Sequence, residues 1–332
     1  MIARPPAWLR VVVSVGILVA LATLLDGAAV LRRLSDLDLR WVAVALGVSV
    51  VQVAGSAWRW RYTAGRLGVR LDLGRAIAEY YRATFLNQVL PGGVVGDVSR
   101  AWRNRGAAHD DPDLRLAAVH AVVLERASGQ LVMTAVAVVS AGILMAGVGA
   151  PLAAWVGLAA ATLGIAVGGG LAARRPARGG WAGRLVADAR LALGGAALPV
   201  QLASSALVVA TYLVTWVAAA RGIGSSVPLD DLLLVAGPVL VAMLLPVSIA
   251  GWGVREAAAA FLWGSVAATA GATEGVAVSI AYGALVLAAS LPGAVLLLLS
   301  PPDQGRRARP SRDGSGAPAD AAPRPGSESS EG

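Results

Sequence analysis

The chain has 332 residues, of which 57% are hydrophobic and 14% charged, and its mean hydropathy is +0.68. A water-soluble globule cannot cover so apolar a composition, so the sequence predicts an all-α polytopic membrane protein. The lack of cysteine and the presence of only two histidines argue against a metal centre, and no cofactor is expected. The net charge of +8 comes from arginines beside apolar spans, which indicates the positive-inside pattern and no nucleic-acid partner.

Six apolar segments are long enough to cross a bilayer, which takes about 20 helical residues. In chain order they are 8–28, 41–58, 128–148, 151–172, 197–220 and 276–299. Two further apolar regions, 76–103 and 229–270, are interrupted by proline, glycine and charge. Residues 301–332 show no apolar period, so we expect a membrane domain over 1–300 and a disordered tail over 301–332.

The distribution of arginine predicts the orientation in the membrane. Arginines cluster in the loop after the second span, in the loop after 151–172 and in the tail. The positive-inside rule places these three regions, and with them both termini, in the cytoplasm. A mixed loop with Arg32, Arg33 and Arg40 then faces outside, where nearby aspartates offset it in part. The lysine-free, Ala- and Gly-rich composition is typical of a GC-rich bacterial genome, so a bacterial plasma membrane is expected.

The two interrupted regions share a motif. The stretches "NQVLPGGVVGDVSR" at 87–100 and "LPVSIAGWGVREAA" at 245–258 both contain L-P-x4-G-x3-R. Coincidence is one reading, because leucine, glycine and arginine are common in this chain. Two predicted spans precede the first copy and five precede the second, so the copies would enter the membrane from opposite faces. That arrangement is typical of an inverted-topology repeat whose broken segments form a transporter site.

Irregular backbone at membrane depth is tolerated only inside protein or beside a wet cavity. We therefore predict about six full spans plus two re-entrant helical hairpins that meet around a polar cavity. The residues expected to form the re-entrant backbone are Pro91, Gly92, Gly93, Gly96, Pro246, Gly251 and Gly253.

With these motifs, the sequence resembles the flippase-like family, which includes the transmembrane region of lysylphosphatidylglycerol synthases and stand-alone relatives. The resemblance covers about residues 8–300, and the second motif is the more specific. The first departs from the family pattern by spreading its glycines around Val94 and Val95. The resemblance implies a lipid-translocating membrane domain. Since the sequence ends soon after its last span, no lipid-modifying domain is expected in it.

Charged residues within membrane segments are costly, so they are candidates for a functional site. Those expected to line a lipid-headgroup cavity are Asn87, Asp97, Arg100, Glu125, Arg126, Arg255 and Glu256. Asp97 and Arg100, three residues apart, are expected to pair on one helical face. Arg255 and Glu256 are adjacent and diverge by about 100° on a helix, so we expect them to pair with other groups.

Several of these charges have simpler alternatives. Arg100 and Arg103 would reach the interface if they lie near it, and Glu125 with Arg126 is equally an interfacial pair or a cavity wall. Arg82, with Tyr80 and Tyr81, is interpreted as an interfacial anchor. Asp230 and Asp231 suit a helix N-terminus and are interpreted as its caps. The "DDPD" at 110–113 is interpreted as a loop, since no nucleotide-binding domain surrounds it.

Three functions remain open from the sequence. The first is a translocator that moves an anionic or amphiphilic phospholipid or lipid-linked precursor between leaflets, with arginine forks binding phosphate. The second is a membrane-embedded transferase acting on a lipid-linked substrate, and the third an accessory subunit for envelope lipid synthesis. The expected partners are membrane lipids, a second copy of the chain or envelope-lipid synthesis enzymes.

Overall fold

A computed structural model describes residues 19, 27–90, 93–107, 111–147, 149, 151, 180–243, 251–266 and 271–299. This described part is all-helical, with ten helices. They are α1 (Gly27–Ser35), α2 (Leu39–Arg66), α3 (Leu73–Val89), α4 (Val95–Ala107), α5 (Pro112–Gly147), α6 (Trp181–Leu193), α7 (Ala197–Gly222), α8 (Leu229–Ala242), α9 (Val254–Val266) and α10 (Gly271–Leu298).

Four of the helices, α2, α5, α7 and α10, are long and apolar enough to cross a membrane. They contain the predicted spans near 41–58, 128–148, 197–220 and 276–299. The predicted spans 8–28 and 151–172 lie almost entirely outside the described residues, as does the tail. Helix α5 is much longer than predicted, with 36 residues, or roughly 54 Å at 1.5 Å per residue. The first half of α5 contains polar residues such as Glu125 and Arg126. A search for apolar runs therefore did not identify it as part of the helix.

Helices α3 and α4 form a hairpin around the first motif. Glycine at position 93 has a φ of +61°, which lets the chain turn back. Gly96 then packs so closely against α3 that a methyl group there would collide with the backbone of Ala83. Arg103 contacts Glu79 further from the turn, at 2.5 Å, so the two helices run antiparallel. The tip touches the interior of α5, where Arg126 donates to the carbonyl oxygen of Gly93 over 3.2 Å.

Helices α8 and α9 pack together around the second motif. Gly251 and Gly253 lie in the turn that directly precedes α9, with φ values of +83° and +87°. Both predicted turn glycines therefore adopt a backbone that other residues rarely take. Helix α9 lies along α10, where Arg255 reaches Ser279 and Gly275 lies against Trp263. The turn therefore lies beside the interior of α10. Pro91, Gly92 and Pro246 of the two motifs lie outside the described residues.

The hairpins start at opposite ends of the helical bundle. At one end, Arg66 closes α2 and donates to Leu191 of α6 over 3.2 Å, and α3 begins a few residues later. At the other end, the amide of Asp38 donates to Gly222 over 2.9 Å, and α8 begins a few residues after Gly222. We call these the Arg66 end and the Gly222 end. Each hairpin runs from its own end into the interior.

Two smaller expectations are settled by helix starts. Asp111 lies just before α5, which begins at Pro112, and its side chain caps the helix by accepting from the amide of Asp113 over 2.8 Å, so the predicted loop ends at Asp111. Asp230 and Asp231 do lie in the first turn of α8, as predicted. Their negative charges interact favourably with the helix dipole there. They do not form the cap, because the cap residue is Pro228.

Candidate functional site: a chain of buried charges beside a central cavity

Five charged side chains from three elements form one continuous chain of alternating sign. In order they are Arg59, Glu125, Arg100, Asp97 and Arg126. The shortest distance between each neighbouring pair is 2.6, 3.0, 3.0 and 2.7 Å, respectively. Three guanidinium groups and two carboxylates leave a net charge of about +1. The predicted pair of Asp97 and Arg100 is thus present, but as the middle of a larger network.

Glu125 is the central acceptor of this network. Its Oε1 accepts from Nε and Nη2 of Arg59, at 3.2 and 2.6 Å, and from the hydroxyl of Tyr80 at 3.1 Å. Its Oε2 accepts from Arg100 at 3.0 Å. An ionised carboxylate has about four acceptor positions, and this one, with no exposed surface, accepts three hydrogen bonds at Oε1 and one at Oε2. Glu125 therefore acts as an anchor for α2, α3 and α4. It lies in the protein interior and not at the membrane interface.

Arg100 is fully buried between two aromatic rings. Its guanidinium lies 4.5 Å from the ring centre of Trp60 and 4.4 Å from that of Tyr80. Such contacts stabilise a desolvated cation, and the two carboxylates on either side neutralise it. Arg100 thus does not reach the interface. The interpretation of Tyr80 as an interfacial anchor is likewise wrong, because its hydroxyl and its ring both belong to the buried network.

Asn87 and Arg126 tie the first hairpin to the network. The Asn87 amide accepts from the backbone amide of Gly96 over 2.7 Å and donates to Asp97 over 2.9 Å. It thereby satisfies a free amide at the start of α4. Arg126 pairs with Asp97 and also holds the carbonyl oxygen of Gly93, so both of its bonds go to this hairpin. The bonds that Asn87 and Arg126 make to Gly96, Asp97 and Gly93 together fix the geometry of the hairpin tip.

A cavity of about 190 Å³ lies beside the charge chain. The predicted residues Asn87, Gly93, Asp97, Glu125 and Arg126 line one side of it. Leu240 and Met243, at the end of α8, line another, so both hairpins border the same space. Arg126 is the cation of the chain with the most accessible side chain, 36% exposed compared with 4% for Arg59 and 0% for Arg100. An anion entering the cavity would therefore meet Arg126.

Arg255 and Glu256 form a second buried cluster. The expectation that they pair with other groups is wrong, since Arg255 Nη2 lies 2.6 Å from Glu256 Oε1. The arginine side chain is long enough to fold back along the first turn of α9. Ser279 donates to the same carboxylate oxygen over 2.9 Å, while Glu256 Oε2 accepts from the amide of Gly253 over 2.6 Å. Glu256 therefore caps the helix, in the manner of a capping box.

The two clusters are distinct in their contacts, and Tyr282 lies between them. Its ring is 5.3 Å from the guanidinium of Arg255, and it also lines the cavity. Neither Arg255 nor Glu256 is among the described residues that border the cavity. Of the predicted headgroup residues, the structure thus brings four to the cavity wall, places Arg100 behind them, and assigns Arg255 and Glu256 to the support of the second hairpin.

Several cavity residues were missed by the sequence analysis. Arg59 was assigned to a basic loop, yet it lies in α2 and donates to Ser205 over 3.0 Å as well as to Glu125. Helical spacing could have identified Arg59, because Gln52, Ser56 and Thr63 lie on the same polar helix face at steps of three and four residues. Tyr212 and Gln130 also line the cavity, but each lies within an apolar span among other scattered polar residues. Nothing in their spacing distinguished them from ordinary interior residues.

Among the described residues, no group of three or more His, Cys, Asp or Glu side chains is placed to hold a metal ion. The fold and the site together define an all-helical membrane protein with a buried ion network at a central cavity. The family model described as "Lysylphosphatidylglycerol synthase TM region" matches residues 7–295, so the chain belongs to that family. Comparison with curated proteins and with solved structures gave no significant match. Family membership indicates a membrane protein of lipid metabolism.

Proposed function

We propose that the protein is a lipid translocator that moves an anionic or amphiphilic phospholipid, or a lipid-linked precursor, between the leaflets of a bacterial plasma membrane. The observation that carries this proposal is the accessible guanidinium of Arg126 in a cavity bordered by both hairpins. A charged side chain within a membrane segment costs about 2.5–3.5 kcal/mol on insertion scales, so a retained intramembrane arginine is a candidate for function. The family description supports a lipid as the substrate, since lysylphosphatidylglycerol is a phospholipid.

The two hairpins supply a route for alternating access. In our proposal they form an inverted repeat, one entering the membrane from the cytoplasm and the other from outside, with both chain termini cytoplasmic. A headgroup in the cavity would then be separated from each face by one hairpin. Movement of either hairpin opens one face at a time, as in transporters with paired broken helices. The acyl chains remain in the lipid outside the cavity.

Headgroup binding would itself loosen the first hairpin. Arg126 spends its hydrogen bonds on Asp97 and on the carbonyl oxygen of Gly93. A phosphate that takes both donors of the planar guanidinium fork replaces those bonds. The tip then loses its direct bonds to Arg126 of α5, while Asn87 and Arg100 still hold Asp97 and the pair of Arg100 and Glu125 still joins α4 to α5. Binding and opening of the Arg66 end are therefore coupled through one side chain.

The decisive experiment is reconstitution of the purified protein in vesicles that contain phosphatidylglycerol with a fluorophore on one acyl chain. Quenching by membrane-impermeant dithionite reports the fraction of label in the outer leaflet. We expect rapid exposure of inner-leaflet lipid with the wild type and loss of this exposure with Arg126→Gln. The matched control is Arg184→Gln, which removes an arginine from an exposed pair with Asp113 and should leave exchange unchanged.

Exchange no faster than in protein-free vesicles would contradict the translocator. It would favour the accessory-subunit alternative, in which the cavity binds a lipid for another enzyme of envelope synthesis. A membrane-embedded transferase would instead convert the labelled lipid into a product when a donor is supplied.

A further inference from the structure

The carboxylates of the cavity have little capacity left for a cationic ligand. Glu125 already accepts four hydrogen bonds, and Asp97 accepts from Arg100, Asn87 and Arg126. An ammonium group needs a charged or carbonyl acceptor that it can approach closely. At this cavity it would have to displace a guanidinium from a buried carboxylate, which strands a charge at a cost of several kcal/mol. The cation of the charge chain that is most accessible to a ligand is the guanidinium of Arg126.

The tyrosines of the cavity do not form a free aromatic cage for an amine. Three of them, Tyr80, Tyr212 and Tyr282, line the cavity, and cages of this kind can bind quaternary ammonium groups. However, Tyr80 already stacks on Arg100 at 4.4 Å, and Tyr282 lies 5.3 Å from Arg255. A ring that already faces a guanidinium attracts a second cation less, because the two cations repel each other. This leaves Tyr212, and one ring makes no cage.

The uncharged polar groups on the cavity wall suit hydroxyl groups. Gln52, Gln88 and Gln130 place three carboxamides there, together with Ser56 and Thr84. A carboxamide both donates and accepts, which is what a hydroxyl requires of its partner. Within the described part of the chain, the side chains of Gln88 and Gln130 have no hydrogen-bond partner, so their carboxamides are available to a ligand.

We propose that the cavity selects a phosphodiester headgroup whose alcohol carries hydroxyl groups and no amine, as in glycerol, inositol or sugar headgroups, and therefore not the lysine-bearing headgroup of the lipid in the family description. This inference rests on the proposed function of the same cavity and deepens it. The phosphate binds Arg126, and the hydroxyl groups bind the glutamine carboxamides. The volume of about 190 Å³ is below the 300–1,000 Å³ typical of pockets for whole small-molecule ligands, which suits a headgroup without its acyl chains.

The first arm of the test uses water-soluble headgroups and does not depend on transport. The purified protein in detergent is unfolded by heat with sn-glycerol 3-phosphate, phosphoethanolamine or inorganic phosphate present, followed by fluorescence of its ten tryptophans. We expect glycerol phosphate to stabilise the protein with an affinity about tenfold higher than phosphoethanolamine, since sites that use a substrate hydroxyl discriminate strongly. Inorganic phosphate separates the two contributions, because it engages Arg126 but not the carboxamides.

Variants assign the selectivity to the residues. Gln88→Leu with Gln130→Leu should reduce glycerol phosphate to the affinity of inorganic phosphate, and Arg126→Gln should remove the effect of both ligands. Arg184→Gln, at the exposed pair with Asp113, should change neither. Unchanged selectivity in the glutamine double variant would overturn the proposal, as would equal or tighter binding of phosphoethanolamine.

The second arm compares transport of acyl-labelled phosphatidylglycerol and phosphatidylethanolamine in the same vesicles. Faster exchange of phosphatidylglycerol supports the proposed selectivity. Equal exchange of both lipids would leave the translocator intact and overturn the selectivity. Selective binding of glycerol phosphate without any lipid exchange would support the headgroup class and contradict translocation. The two proposals therefore fail separately.

Discussion

Arg100 Nη2 lies 3.0 Å from Glu125 Oε2, and neither side chain has exposed surface. The pair joins α4 of the first hairpin to α5, a membrane-length helix. Because Glu125 also binds Arg59 of α2, one carboxylate connects three helices. These buried charges thus hold the scaffold, whereas Arg126, at the end of the charge chain, has its most accessible guanidinium group.

Replacing Glu125 with glutamine should destabilise the protein strongly. The neutral carboxamide would leave the guanidinium of Arg59 buried without a counter-charge and Arg100 with Asp97 alone, and breaking a buried pair typically costs about 3–5 kcal/mol. We expect a large fall in the midpoint of thermal unfolding in detergent and reduced accumulation in membranes. The matched control is Asp113→Asn, which breaks an exposed pair with Arg184 and should leave the midpoint unchanged. Equal midpoints for the two variants would show that Glu125 is not an anchor.

Lysine substitutions should separate recognition from support. Arg126→Lys keeps the charge but loses the planar fork, so we expect most lipid exchange to be lost while thermal stability changes little. Arg255→Lys cannot reproduce the two bonds from Nε and Nη2 to Glu256, at 3.1 and 2.6 Å, and should mainly lower stability, by about 1.5–3 kcal/mol.

The measurements are lipid exchange per reconstituted protein and the thermal unfolding midpoint of each variant. The opposite outcome, lost exchange in stable Arg255→Lys with full exchange in Arg126→Lys, would return the headgroup site to the second motif.

The sequence indicated part of this arrangement. The spacing of Asp97 and Arg100 was sufficient to predict their pairing, because helical geometry relates residues three apart. The contact of Arg59 with Glu125 spans 66 positions, and no local rule predicts a contact over that separation. Arg255 and Glu256 were misjudged because a rule for Cβ directions ignores how far a long side chain can fold back. Motif spacing thus located the hairpins, while the partners of the buried charges depended on tertiary contacts.

Substituting Gly96 with alanine should disrupt the first hairpin. A methyl group there would collide with backbone atoms of Ala83, which cannot move aside as a flexible side chain can. Separating α3 from α4 would also strain the bonds that Asn87 makes to both Gly96 and Asp97. We expect a loss of about 1–3 kcal/mol in the free energy of unfolding, as is typical of overpacking.

Gly47→Ala provides the control for this substitution. Position 47 lies within α2, and an added methyl group would meet nothing within 4 Å. Alanine has a higher helix propensity than glycine, by about 1 kcal/mol, so this control should be neutral or stabilising. A Gly96→Ala protein that is as stable as Gly47→Ala would show that α3 and α4 do not pack at this distance.

Cysteine labelling should establish the orientation. The chain contains no cysteine, so single substitutions report one site each. Position 182 lies in α6 at the Arg66 end, and position 226 follows α7 at the Gly222 end; both are exposed. If the arginine-rich end is cytoplasmic, a membrane-impermeant thiol reagent should label Ser226→Cys in intact cells and leave Ala182→Cys unlabelled until lysis. The reverse pattern would invert the proposed topology.

Crosslinking should test whether the two hairpins face one cavity. Gln88 near the first tip and Met243 at the end of α8 line the same space, although they belong to different hairpins. With cysteines at both positions, a short bifunctional thiol reagent should join them, which is detected after protease cleavage between the two sites.

The control pair combines Gln88→Cys with a cysteine at Val266, where α9 ends far along the chain from its turn. Since α9 runs back toward the Gly222 end, this pair should stay unlinked. Equal crosslinking of both pairs would indicate non-specific collisions, and no crosslink in either would separate the hairpin tips. In both cases the proposed route through a shared cavity would fail, whereas the buried network around Glu125 would still account for the charges of the first motif.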